Sequence, residues 1–358
     1  MDINKVIFKL KQTSLGSGAS WLLRPIKHYN DVKYHLEKQL PYPPSNQQIR
    51  WCFWDHFKFR VRYKGNLATD YFGAQMYRKS DFVRKESMAH GVRFKWRDSI
   101  QAKKDWAVFS NKHEFYKAYS DFLNRKWLCA DKNTSLDEIK SFAQSCSNEI
   151  FVKSLFGCGG KEVFLVKINS EQDLIQLYEL CVKQPMLLEE RLEQCSEIHS
   201  FSDGAINTFR IITIIDKNGN AVVARAELRM GRKGMAIDNY CSGGLAAQID
   251  IQSGVIFSMG KDENGKEYIF HPDTNKQIVG FTVPDWDGYK EFVCSLAAMY
   301  PEMRYVGWDV IKDSKGRFCV IEGNKDAGVG ALESGLLNGL KPCYDAILNA
   351  EAPYPYYR

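Results

Sequence analysis

"RYVGWDVIKDSKGRFCVIEGNKDAG", residues 304–328, decides the fold of this chain. It alternates as far as "KDSKG", turns, and returns as "RFCVIEGN", the pattern of a β-hairpin. Val306, Trp308, Val310 and Lys312 alternate with Gly307, Asp309 and Ile311, which sets Asp309 on one face of the first strand. Glu322 and Asn324, two residues apart, share a face of the second. Antiparallel pairing lets Asp309 approach Glu322, so three oxygen-bearing side chains meet at one spot, none of them offset by a nearby base. Two carboxylates that close repel unless a cation lies between them or one is protonated. A hard divalent ion such as Mg²⁺ takes a set of this kind. A hairpin of solvated acids is the plainer alternative.

Four stretches upstream add chemistry. In "FVKSLFGCGGKEVFLV", Lys153 enters a turn built on Gly157, Gly159 and Gly160, where backbone amides can close on an anion and an ammonium can hold a phosphate. A Walker A loop is excluded, because Lys161 is followed by Glu162 and a strand. "MLLEERLEQCSE" ends an apolar strand in Glu189 and Glu190, with Glu197 further on. Such an edge offers backbone groups to a purine and a carboxylate to a ribose, or is an ordinary charged strand end. "INTFRIIT" embeds Asn207 and Arg210 in an apolar β run, and an Arg there calls for an anionic partner. "RMGRKGMAIDNYCSGGLAAQID" supplies Arg229, Asn239, Gly243 and Gly244, a second loop able to lie against phosphates.

The 358 residues exceed what one core usually supports, so two or three subdomains are expected. With 44% hydrophobic and 26% charged residues the chain is globular rather than disordered. It carries no internal repeat. Residues 1–107 are aromatic, basic and read as helical, and "MYRKSDFVRKESMAHGVRFKWRDSIQAKKDW" concentrates much of the +6 net charge. That segment is either a solvated helical face or a patch for phosphate, an anionic membrane or an acidic glycan. "NKHEFYKAYSDFLNRKWL" spaces its apolar residues as one amphipathic helix, and "SLDEIKSFAQSC" as another, capped by Ser135 with Glu138. "EIFVKSL", "KEVFLVKI" and "PMLLEERL" read as strands, with the helix "SEQDLIQLYELCVKQ" before the third, and "DKNGN" as a hairpin turn. The class is α+β. Ten scattered cysteines without a C-x-x-C pair suit a reducing cytoplasm, and neither a signal peptide nor a membrane span is expected.

Taken in order, these stretches resemble the ATP-grasp superfamily, most closely its sugar-transfer-associated or teichuronopeptide-type branch. "VKSLFGCGGKEV" is similar to the family's phosphate loop, "LLEERL" to its adenine hinge and "DNYCSGG" to its Asn and paired-Gly element. "GWDVIKDSKGRFCVIEGN" is similar to its Asp, Glu, Asn magnesium set. The resemblance spans residues 108–340, and "HPDTNKQIVGF" and "RYVGWDV" point to the sugar-associated branch. After the mostly helical region over 1–107, it implies a small lobe over 108–198 and a large lobe over 199–358, the two lobes clamping ATP. Lys112 and Lys153 are then expected on nucleotide phosphates, Glu189 and Glu190 at the adenine and Glu197 at the ribose. Arg210 and Arg229 are expected on the transferred phosphate, and Asp309, Glu322 and Asn324 on Mg²⁺. "SNK" before Lys112 departs from the usual Asp-Lys, and Glu197 needs a one-residue shift. The implied activity is ADP-forming carboxylate–amine ligation in polysaccharide or glycopeptide synthesis. Its partners would be a small-molecule or glycan-linked acid and an amine, with no nucleic acid. A kinase on the same fold and a non-catalytic nucleotide-binding module are the alternatives.

Overall fold

A computed structural model of the chain describes residues 24–64, 68–156, 163–202, 204–234, 243–263, 265–329, 333 and 339–351. The chain divides into two compact units. One is Met1–Arg93 with Asn264–Lys266 and Val329–Leu340, and the other is Phe94–Glu263 with Glu267–Gly328 and Lys341–Arg358.

The first unit is helical among its described residues: α1 (Arg24–Gln39), α2 (Asn46–Tyr63), α3 (Ala68–Gly73), α4 (Asp81–Lys85) and the start of α5 (His90–Ile100). Ser45 caps α2 in a reciprocal box with Gln48, satisfying backbone donors that a helix start leaves open. Val32, Leu36, Ile49, Phe59, Tyr71, Phe72 and Met76 form its core. Within this aromatic core Arg84 grips Asp55 through two bonds of 2.8 Å, and the Tyr71 hydroxyl donates to the same carboxylate. Glu333 accepts from the Ser87 hydroxyl at 2.9 Å and the Met88 amide at 2.6 Å, which fixes position 333 to this unit.

The second unit holds two antiparallel sheets. The four-stranded one has the order β1-β4-β2-β3, from β1 (Trp127–Ala130), β2 (Glu149–Ser154), β3 (Val163–Lys167) and β4 (Met186–Glu190). It shares a core with α7 (Leu136–Ser145) and α8 (Glu171–Lys183) through Ile139, Ala143, Ile150, Val152, Leu174 and Leu188. Ser135 caps α7 with Glu138, as its sequence predicts. One expectation fails here. The helix read over "NKHEFYKAYSDFLNRKWL" stops as α6 (Lys112–Ala118), passes through a 3₁₀ turn, and Trp127 opens β1. After that turn Asn124 keeps the helix from resuming, taking a left-handed backbone, φ 52°, and donating its side chain to the Phe318 carbonyl. The helical spacing of Phe115 and Tyr119 is real, but the apolar residues beyond them serve a different element.

The seven-stranded sheet has the order β11-β10-β5-β6-β7-β8-β9. Its strands are β5 (Phe209–Ile215), β6 (Ala221–Met230), β7 (Leu245–Ile249), β8 (Gly260–Lys261), β9 (Glu267–Tyr268), β10 (Tyr305–Lys312) and β11 (Phe318–Asn324). Two hairpins in it share one turn chemistry. In "DKNG" and "DSKG" the Asp carboxylate accepts from amides two and four residues on, and Gly219 or Gly316 takes the positive φ that closes the turn. Val306, Trp308 and Val310 point into the main core, into which α10 (Trp286–Ala298) also packs. Beneath β11, a Cβ on Gly323 would come within 2.8 Å of Phe115 and 3.0 Å of both Phe109 and Trp308, so the aromatic packing demands glycine there. The face of β10 that carries Asp309 is left for polar work. The eight described cysteines are free, and no described helix is long and apolar enough to cross a membrane.

The helical unit hides a titratable pair. His28 Nε2 and His56 Nδ1 lie 2.8 Å apart and buried, and His56 Nε2 has no partner among the described residues. Burial, helped by Arg60, pushes His28 down to about 4, and burial with His28 and Arg60 pushes His56 down to about 3. Both folded values lie below that of an unfolded histidine, about 6.5, so the unfolded chain takes up protons first. The stability that goes with the neutral pair is complete above about pH 6.5 and is lost as pH falls toward the folded values. Amide exchange in α1 and α2 should accelerate between about pH 7 and 5, after correction for intrinsic exchange, and His56→Phe should flatten that dependence. Protection that stays level across this range would refute the assignment.

Candidate functional site

Register builds the site. β11, β10, β5, β6 and β7 bring Glu322, Asp309, Arg210, Glu227 and Gln248 into one cross-strand row. Arg210 donates through Nε to Asp309 Oδ1 at 2.5 Å and through Nη2 to Oδ2 at 2.7 Å. Both residues are buried, at 6% and 7% exposure. The Asp309 carboxyl is driven up by burial, but the Arg210 guanidinium more than reverses this and holds it below its ordinary value. Asp309 is therefore offset by a base after all, one that reaches it from β5. Asn324 Nδ2 donates to Glu322 Oε1 at 2.9 Å and approaches Asp309 Oδ2 at 3.5 Å. Arg229 Nε donates to Glu227 Oε1 at 2.9 Å, and its Nη1 lies 4.0 Å from Asp309 Oδ1. A Cβ on Gly307 would come 3.1 Å from the Arg210 side chain and 2.4 Å from that of Ala327, so glycine leaves Arg210 room to cross to Asp309.

A second cluster lies on the smaller sheet. Lys153 on β2 sits opposite Leu187, and its Nζ is 2.6 Å from Oε1 of Glu189 on β4, whose Oε2 accepts from Arg125 Nε at 2.7 Å. Burial raises the Glu189 carboxyl, and Lys153 followed by Arg125 brings it below its usual value. Lys153, Glu189 and Glu190 line an apolar slot walled by Phe151, Val163, Leu192, Ile206 and Ile321. The Glu189 carboxylate is engaged by two cations and β4 is paired on both sides, by β1 and β2, so neither that side chain nor a strand edge is open to a ligand there; what faces the slot beyond them is the chain leaving β4 at Leu192. The Glu190 carboxylate accepts from the Lys126 amide at 3.0 Å.

Other sequence-derived candidates are placed differently. Lys112 is the first residue of α6, and its amide donates to the Leu155 carbonyl just beyond β2, but it does not line the slot. Glu197 lies in the short helix α9 (Ser196–His199) and lines a separate cleft with Cys195, Tyr289 and Lys312. Gly243 has a φ of 102° and with Gly244 leads into β7, where Ala246 faces Arg229. Gly159, Gly160 and Asn239 fall outside the described residues. Sequence reasoning missed Arg125 and Glu227. Nothing in "NRKWL" singles out Arg125, whereas Arg225, Glu227 and Arg229 alternate along β6 and were a usable sign of a charged face. Glu227 is 1% exposed, and its Oε2 has no hydrogen-bond partner among the described residues.

A family model described as sugar-transfer associated ATP-grasp matches residues 99–345. The chain belongs to this family. Its fold is the α+β ATP-grasp fold, preceded by a helical N-terminal region. No curated protein matches it. Solved structures similar to this ATP-grasp chain include the ATP-grasp ligase PsnB complexed with a minimal precursor, with 14% identity over 72% of this chain and 67% of that one and a TM-score of 0.40. N5-carboxyaminoimidazole synthetase from Staphylococcus aureus, complexed with ADP, has 10% identity over 72% and 56% and a TM-score of 0.46. The biotin carboxylase domain of Hydrogenobacter thermophilus 2-oxoglutarate carboxylase has 14% over 71% and 48% and a TM-score of 0.40. The chain thus spans from about half to two thirds of the length of these structures.

The two carboxylates of this ATP-grasp chain suit a hard cation, whereas Asn324 turns Nδ2 toward them and would have to present Oδ1 instead. Among the described residues no three His, Cys, Asp or Glu gather as a metal group; the candidate set is two carboxylates and an amide. Arg210 uses one lone pair on each Asp309 oxygen and leaves the others, and Glu322, which accepts from Asn324 through Oε1, lies in side-chain contact with Asp309. The row holds three carboxylates against the guanidiniums of Arg210 and Arg229.

Removing one member of a buried pair leaves the other charge uncompensated, at a cost of about 3–5 kcal/mol. Arg210→Met and Asp309→Leu should each destabilise by about that amount in urea unfolding. The double variant should lose far less than the sum. Additive losses would show that the two charges do not depend on each other.

Proposed function

We propose that this protein is an ATP-dependent, ADP-forming carboxylate–amine ligase. The observation that carries the reading is the buried row in which Arg210 and Arg229 meet Asp309, Glu322 and Asn324. Such a place suits charge held on a transferring phosphoryl group, since phosphoryl transfer asks mainly for positioning and neutralisation. Mg²⁺ held by Asp309, Glu322 and Asn324 would supply further charge compensation to ATP. Lys153 would hold nucleotide phosphate at the mouth of the apolar slot, Gly159, Gly160, Asn239, Gly243 and Gly244 would close loops on it, and the chain leaving β4 just after Glu189 and Glu190 would receive the adenine. Lys112 and Glu197 would have to shift to join them.

In the reaction a substrate carboxylate oxygen attacks the γ-phosphorus and the bond to ADP breaks, giving an acyl phosphate and ADP. An amine then adds to the acyl carbon, loses a proton, and expels inorganic phosphate as the amide forms. Arg210 and Arg229 face the phosphoryl group throughout. No protein nucleophile is required, and an already ionised carboxylate needs no general base, which favours it over a hydroxyl acceptor. The family's association with sugar transfer supports a glycan-linked or small-molecule acid as substrate, and cytoplasmic surface-polysaccharide synthesis is the setting we propose for it.

Mg²⁺-ATP should raise the midpoint of thermal unfolding, because it binds the native state alone. No upward shift at saturating nucleotide would remove the basis for this assignment.

Isotope labelling distinguishes ligase from kinase. With ¹⁸O in the carboxylate of an accepted acid, the phosphate released alongside ADP and amide should carry label, since the attacking oxygen departs with the phosphoryl group. A stable phosphorylated product without labelled phosphate would establish the kinase instead.

A further inference from the structure

Helix α2 is apolar on both sides. Its inner face buries Ile49, Cys52, His56 and Phe59. At 3.6 residues per turn, Trp51, Trp54, Phe57 and Val61 fall within an arc of about 120° on the opposite side. There they are 54%, 58%, 45% and 68% exposed. Trp54 meets Phe57 edge to face with ring centroids 5.9 Å apart, so the apolar residues form a patch rather than scattered points. Arg50 and Lys58 are exposed within the same arc, have no acidic partner among the described residues, and share it with no Asp or Glu. A helix of a globular protein needs only one apolar stripe. Four large exposed apolar side chains interspersed with unpaired cations are the pattern of a helix that lies in a membrane interface, with indoles at headgroup depth.

We infer that the outer face of α2 docks the protein on a membrane surface rich in acidic phospholipid. Charge decides among occupants. A second copy meeting this face across a two-fold axis would set Arg50 and Lys58 against their own counterparts, with no acid in the patch to relieve them. An acidic polysaccharide would satisfy the cations but offers no hydrocarbon to Phe57 and Val61. An anionic bilayer satisfies both. The inference is independent of the reaction proposed above, and its test does not use turnover.

The full chain should co-sediment with vesicles of phosphatidylcholine containing about a quarter phosphatidylglycerol, should stay in solution with phosphatidylcholine alone, and should be released by high salt. Trp51→Ser/Trp54→Ser should weaken vesicle binding roughly tenfold or more, and Arg50→Glu/Lys58→Glu at least as much. Both variants should keep the wild-type thermal unfolding midpoint, because all four side chains are exposed. Failure of the wild type to bind acidic vesicles, equal binding to neutral ones, or undiminished binding by the double tryptophan variant would each overturn the proposal. So would a solution dimer that the variant abolishes, or retention on an acidic polysaccharide without retention on vesicles.

Discussion

The polar face of the large sheet rests on the Arg210–Asp309 pair. Either charge alone at that depth would be prohibitive. Together they allow Glu322, Asn324, Glu227 and Arg229 to gather around them. The pair is held by the β5–β10 register and by the missing side chain of Gly307, so backbone geometry, rather than a flexible loop, sets where the charges lie. A site built on paired strands is positioned more exactly than one assembled from loops.

The hairpin from which the reading starts was legible because two simple rules act on it. Period-2 alternation assigns the faces, and the D-x-x-G turn fixes the register to within the bulge after Asp309. The strands around Lys153 and Glu189 and the cap on α7 were legible for similar local reasons. Arg210's need for an anion could also be foreseen, but not which anion, because its partner lies 99 positions away in the chain and only the sheet order introduces them. For the same reason Asp309 read as lacking a base, and Arg125 gave no sign of itself.

Aromatic residues misled at one place and informed at another. Phe115, Tyr119 and Phe122 keep helical spacing through a segment where the helix has ended, since they pack on Trp308 and α10 from a shorter helix and a 3₁₀ turn. In α2 the abundance of Trp and Phe obscures the periodicity, because both faces are apolar and the contrast that marks an amphipathic helix is missing.

Glu189 binds two cations, one with each oxygen. If Lys153 leaves its carboxylate oxygen for a ligand phosphate, Glu189 keeps Arg125, which also donates to the carbonyls of Leu123 and Val320 and so stays in place. The buried acid is never left alone in either position of the lysine. The lysine can thus be exchanged between two anions, with the arginine acting as a permanent counterion that keeps the transfer free of a stranded charge.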